Sequence, residues 1–181
     1  MLLERLGLPF TSVSPMVDET PHLGELPADT ALRLAEAKAR AVAASHAGAL
    51  VIGSDQIAEC SGAVIGKPRD AQHALEQLRA MRGRTVVFHT ALALLNSASG
   101  RCQTALVDVV STFRSLEDDA LRTYLERERP FDCAGSVKAE SLGIALFTRI
   151  ASDDPTALIG LPLIRLTDML LIEGVRPLSK T

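Results

Sequence analysis

The chain has 181 residues, 47% of them hydrophobic and 23% charged, with a net charge of −3. That length suits one domain, or one domain of two lobes, and buries a core without disulfides or structural metal. The composition excludes a disordered chain, and the mild acidity excludes nucleic-acid binding through a broad basic face. Cys60, Cys102 and Cys133 are odd in number and lack metal-ligand spacing, so they read as reduced thiols. No apolar run reaches transmembrane length and the N-terminus has no apolar signal core, so a cytoplasmic protein without a membrane partner is expected.

In chain order, Met1–Leu6 reads as the end of an amphipathic helix stopped by Gly7, and Phe10–Ser14 as a short strand. Residues 18–27 form a loop rich in Pro and Gly, followed by a helix from Pro27 to Ser45 with Leu32, Leu34, Ala35, Ala39 and Val42 on its apolar face. Leu50-Val51-Ile52 reads as a buried strand that delivers a polar loop, Gly53-Ser54-Asp55-Gln56. A hairpin turning at Ser61-Gly62 comes next, then Gly66-Lys67-Pro68 and a helix from Asp70 to Met81. Thr85–Leu95 and Thr104–Phe113 make a long hairpin, Leu116–Glu128 a helix, residues 135–150 a loop and strand, and Leu163–Glu173 the last helix. Strands alternating with helices, interrupted by that hairpin, predict a single α/β domain over residues 1–181, a mixed sheet with flanking helices.

Few residues carry chemistry in this pattern. Asp55, just past a strand, is placed to take a proton from water or to hold a metal, although the tetrapeptide alone reads rather as a turn capped by its own Asp. Asp18 and Glu19, without an adjacent Lys or Arg, suit a hard divalent cation, while a solvated loop is the commoner use of such a pair. Lys38 on a helix and Lys67 between Gly and Pro are phosphate counter-charges if a partner is near. The basic run Arg79, Arg82, Arg84 is accounted for by the helix dipole. No histidine has metal spacing or an obvious nucleophile, and Cys133 reads as a small buried hydrophobe.

Val17-Asp18-Glu19-Thr20, Leu32-Arg33-Leu34-Ala35 with Lys38-Ala39, Gly53-Ser54-Asp55-Gln56, Gly66-Lys67-Pro68 and Gly160-Leu161-Pro162 stand in the order found in Maf-like nucleotide pyrophosphatases, which the chain resembles from Leu2 to about Gly174. The resemblance implies a two-lobed Maf/Ham1-like architecture with a central cleft. It also implies attack of water on the α-phosphorus of a nucleoside triphosphate, with pyrophosphate leaving. Asp55 resembles the proton acceptor, Lys38 and Lys67 the phosphate-binding lysines, and Glu19 with Asp55 the ligands of a divalent cation, Mg or Mn. Gln56 and Glu140 stand where members acting on dTTP and UTP have Thr and Gln, which resembles the 7-methyl-GTP branch. A carboxylate beside the positively charged methylated base has a physical rationale. The partners implied are a small nucleotide and, from the family alone, a second copy of the chain in a homodimer. Two other readings stand beside this one, a non-catalytic nucleotide-binding protein and a dTTP/UTP pyrophosphatase. The first draws on a departure: the chain starts inside what resembles the family's first helix, without the strand and Ser-x-Ser-Pro-x-Arg loop that precede it, so hydrolysis is expected to be impaired.

Overall fold

The computed structural model describes residues 2–179. Four α-helices, α1 (Pro27–Ala43), α2 (Ala71–Met81), α3 (Asp118–Glu128) and α4 (Leu163–Ile172), accompany five strands. These are β1 (Leu50–Cys60), β2 (Ala63–Ile65), β3 (Thr85–Asn96), β4 (Cys102–Phe113) and β5 (Phe147–Ala151). They form one antiparallel sheet in the order β2-β1-β3-β4-β5. The expected α/β class and flanking helices are present. The pairing is antiparallel rather than mixed, because the passage through α2 returns the chain alongside β1 in the opposite sense, without a parallel crossover.

Two further expectations change. Gly53–Gln56 is not a loop: β1 runs unbroken from Leu50 to Cys60 and carries the tetrapeptide at its centre. Gly, Ser and Asp are turn formers in isolation, and sheet pairing overrides that preference here. Residues 10–14 form no strand. Phe10 and Val13 are exposed, and their β-forming character finds no ladder to join. The N-terminal helix end is a single 3-10 turn, Leu3–Leu6, closed by Gly7 in the left-handed conformation.

The chain divides into two compact units. The first comprises residues 1–55, 90–107 and 154–181, the second residues 56–89 and 108–153. In the first, α4 lays Leu163, Leu166, Met169 and Leu170 on Leu92 and Leu94 of β3, with Leu3, Leu6, Leu50 and Ile52 packed around them. Leu166 is fully buried, and truncating such a side chain to Ala costs about 2–5 kcal/mol. The opening of α4 is held by a buried carboxylate. Asp154 Oδ2 accepts from the Ile164 amide at 2.7 Å, and its Oδ1 accepts from the Thr156 amide and hydroxyl at 3.0 and 2.7 Å. In the second unit α2 packs on α3, and Phe113 meets Phe147 edge-on at 4.7 Å across the β4–β5 pair.

Candidate active site

The site begins with a close approach of backbone. α1 turns Ala31, Leu34, Ala35 and Ala39 inward, all buried, and meets β1 at Gly53. A Cβ at Gly53 would lie 2.1 Å from the Ala35 carbonyl oxygen and 2.8 Å from the Ala39 amide nitrogen. Only a glycine opposite two alanines lets helix and strand come this near. The consequence is chemical. Asp55 lies two residues after Gly53, hence on the same face of the strand, and Lys38 directly precedes Ala39 on the helix. Lys38 Nζ donates to Asp55 Oδ1 at 2.6 Å.

The same ammonium lies 2.7 Å from Glu19 Oε1. Lys38 therefore holds two carboxylates, one from the strand and one from the loop before α1. Asp55 is 11% and Lys38 19% exposed, whereas Glu19 is 50% exposed, so the trio has a shielded end and a wet end. Burial alone would lower the Lys38 pKa; the hydrogen bonds it donates to Asp55 and then Glu19 outweigh it and raise it above the ordinary lysine value.

The loop that presents Glu19 is pinned independently. Arg33 grips Glu25 with Nε and Nη2 at 2.7 and 2.8 Å, and Nη2 also donates to the Thr20 carbonyl at 3.2 Å. Arg33, with a further hydrogen bond from the His22 amide, holds the Glu25 carboxyl far below the usual carboxylate range. Hydrogen bonds from the Thr20 hydroxyl and then from its amide, the latter at 2.9 Å, lower the Asp18 pKa too. Asp18 thus shapes the turn.

Of the residues singled out in the sequence, the first unit brings together Glu19, Lys38 and Asp55. Gln56, Lys67 and Glu140 belong to the second unit. Gln56 follows Asp55 in β1, with its side chain on the opposite face by strand alternation. Lys67 is exposed in the connection after β2, and Glu140 is exposed in the turn that follows residues 134–136. These two connections share a scaffold that sequence reasoning missed. Buried Gln77 donates from Nε2 to the Gly66 carbonyl at 3.0 Å and accepts from Ser136 Oγ at 2.6 Å. Tyr124 donates to the Ser136 carbonyl at 3.1 Å and accepts from the Lys138 amide at 3.0 Å. One of two Gln on a helix and the chain's single Tyr give no signal in the linear pattern.

Other residues behave differently from their sequence reading. Arg79 and Arg82 close on Asp118 in the first turn of α3, so their role is an inter-helix clamp rather than a dipole contact. His89 lies between Asp108 at 2.8 Å and Glu59 at 3.3 Å, on three adjacent strands that residue spacing could not connect. The cysteines are free. Burial raises the Cys133 thiol to about 11, which suits an inert side chain rather than a nucleophile. Among the described residues no group of three His, Cys, Asp or Glu is arranged to hold a metal. Two carboxylates converging on one ammonium still mark a place where positive charge is stabilised. Two carboxylates completed by phosphate and water oxygens is the usual coordination of Mg²⁺, so the donor set fits such an ion.

The sequence matches the model of the Maf-like protein family over residues 1–172. It is 60% identical to the 7-methyl-GTP pyrophosphatase of Ralstonia nicotianae, an alignment covering 93% of this chain and 87% of that one. It is 58% identical to the protein of the same name from Cupriavidus metallidurans, over 96% of this chain and 87% of the relative. The Bordetella pertussis protein, again of that name, is 57% identical over 98% and 88% of the two chains.

Proposed function

The chain belongs to the Maf family, and we propose that it is a pyrophosphatase converting 7-methyl-GTP and water into 7-methyl-GMP and pyrophosphate. The observation that carries the reading is the Glu19–Lys38–Asp55 arrangement. It combines an oriented carboxylate, a fixed cation and a second carboxylate open to solvent. The relatives' names supply the substrate class.

In this mechanism Asp55 accepts a proton from the water that attacks the α-phosphorus. Lys38 keeps that carboxylate ionised and turned to one position, and its charge acts on the phosphates as they gain negative charge in the transition state. Lys67 contributes a second cation toward the phosphates. Gln56 and Glu140 contact the nucleotide, and the Glu140 carboxylate complements the positive charge of the methylated base. Glu19 and Asp55 would hold a divalent cation, Mg²⁺ or Mn²⁺, which supplies charge neutralisation at the phosphate oxygens when bound. The reading includes a cytoplasmic location and a homodimer, which light scattering distinguishes from a monomer. No described helix is long and apolar enough to cross a membrane.

The test is a panel of 7-methyl-GTP, GTP, dTTP and UTP with Mg²⁺, followed by separate measurement of monophosphate and pyrophosphate. Preferred release of 7-methyl-GMP with equimolar pyrophosphate supports the proposal, and preference for dTTP or UTP assigns the other branch. Binding without product assigns a non-catalytic role. Asp55→Asn is expected to lower kcat/KM by about 10²–10⁴-fold, the usual worth of a general base. A variant as active as the parent removes Asp55 from that position.

A further inference from the structure

The second unit carries a concavity of about 650 Å³ between the β1–β2 hairpin and α2. Four basic side chains line it, Lys67, Arg69, His73 and Arg84, against a single carboxylate, Glu76. Glu76 already accepts from Gln72 Nε2 at 2.9 Å, along α2 itself. Arg79 and Arg82 nearby close on Asp118. Lys67, Arg69 and Arg84, by contrast, have no ion-pair partner among the described residues. The α2 terminus is not the source of attraction, since Asp70 caps it by accepting from the His73 amide at 2.8 Å. His73 Nδ1 accepts from the Arg69 amide at 3.3 Å, which leaves the proton of the neutral ring on Nε2 as a further donor.

Three unpaired cations around one hollow repel one another, in a protein whose net charge is −3. A multiply charged anion relieves that repulsion, and two guanidinium forks match phosphate oxygens in pairs. The volume lies within the range of small-molecule sites. We propose that this concavity is an anion site for a di- or triphosphate group, with Arg69 and Arg84 as its principal donors. Its principal donors, Arg69 and Arg84, take no part in the activity proposed for the Glu19–Lys38–Asp55 trio, and Lys67 is the one residue that the two readings share.

The probes are inorganic pyrophosphate and inorganic triphosphate, added without divalent metal at low salt to the full chain. Heteronuclear NMR is expected to show amide shifts at Ile65, Gly66, Arg69 and Arg84. Calorimetry is expected to show at least about tenfold weaker binding in the double variant Arg69→Gln/Arg84→Gln, the usual worth of charge-assisted hydrogen bonds. Arg69→Lys/Arg84→Lys retains part of the affinity, and turnover of the double variants matches the parent. A nucleoside triphosphate tested in parallel separates a site for free polyphosphate from one that needs the nucleoside as well. Shifts confined to the neighbourhood of Lys38 and Asp55, unchanged affinity in the Gln variant, or no binding at millimolar anion would each overturn the proposal. If the Gln variant fails to fold, the shift map of the parent chain decides.

Discussion

Lys38 is the residue on which the candidate chemistry turns, because it serves two carboxylates at once. Removing its charge by Lys38→Met leaves Asp55 and Glu19 facing each other without a cation. Like charges at that range favour protonation of one of them, so the acid limb of the kcat/KM profile is expected to move to higher pH, and the rate at neutral pH to fall. A Lys38→Met profile that superimposes on the parent's would show that the ammonium does not control the pair. Glu19 makes a different prediction. Its side chain is half exposed, and exposed ion pairs contribute only about 0–1 kcal/mol, so Glu19→Gln is expected to leave Tm nearly unchanged. Its loss should appear in the metal requirement, with the Mg²⁺ concentration for half-maximal rate rising about tenfold, as changes around a metal site commonly do. Titrating Mg²⁺ at saturating nucleotide separates the two outcomes. An unchanged metal requirement removes Glu19 from the cation.

At the scale of elements, the crossing of α1 over β1 decides whether Lys38 and Asp55 meet. Gly53→Ala places a methyl group against the Ala35 carbonyl and the Ala39 amide, 2.1 and 2.8 Å away, where rigid backbone cannot yield as a side chain would. Overpacking of this kind costs about 1–3 kcal/mol, and here it also pushes α1 outward. The expected result is a lower Tm together with activity lost out of proportion to the fraction unfolded. Retained turnover in the folded fraction would show that the close approach is dispensable. The same crossing explains what could be read from the residues. The helices were legible because their apolar spacing, the Asp70 cap and the stopping glycines at 83 and 174 are local signals. So was the hairpin at Ser61-Gly62, where both residues take positive φ. The middle of β1 was not legible. Gly53 signals a turn when its neighbour in space is unknown, and Ser54 lies extended within β1, its hydroxyl 2.7 Å from both the Ala91 and the Gly160 carbonyl oxygens. The trio itself was assembled from motif order. Linear spacing did not show that one lysine would touch both carboxylates, nor that Gln77 and Tyr124 would organise the loops bearing Lys67 and Glu140.

For the molecule as a whole, acid stability follows from where its strongly paired carboxylates lie. Glu25, bound by Arg33 in the first unit, and Asp118, bound by Arg79 and Arg82 in the second, are both held far below the ordinary carboxylate range. Each keeps its charge in the folded chain at pH values where the unfolded chain has taken up a proton. The folded state then binds fewer protons, and stability falls as pH falls. Both contributions are complete above about pH 5 and disappear progressively below the unfolded values near 4, until the folded carboxylates protonate as well. Glu25→Gln and Asp118→Asn remove one such group each. Both variants are expected to melt below the parent at pH 7 and to lose less on acidification, so that the melting curves converge toward pH 3. Salt should narrow the gap at pH 7, more for Asp118, whose pairs are the more exposed, than for the largely covered Glu25. Thermal unfolding of the three proteins from pH 7 to pH 3 measures this directly. A gap between parent and variants that stays constant across that range would show that these carboxylates stabilise the fold by packing rather than by charge.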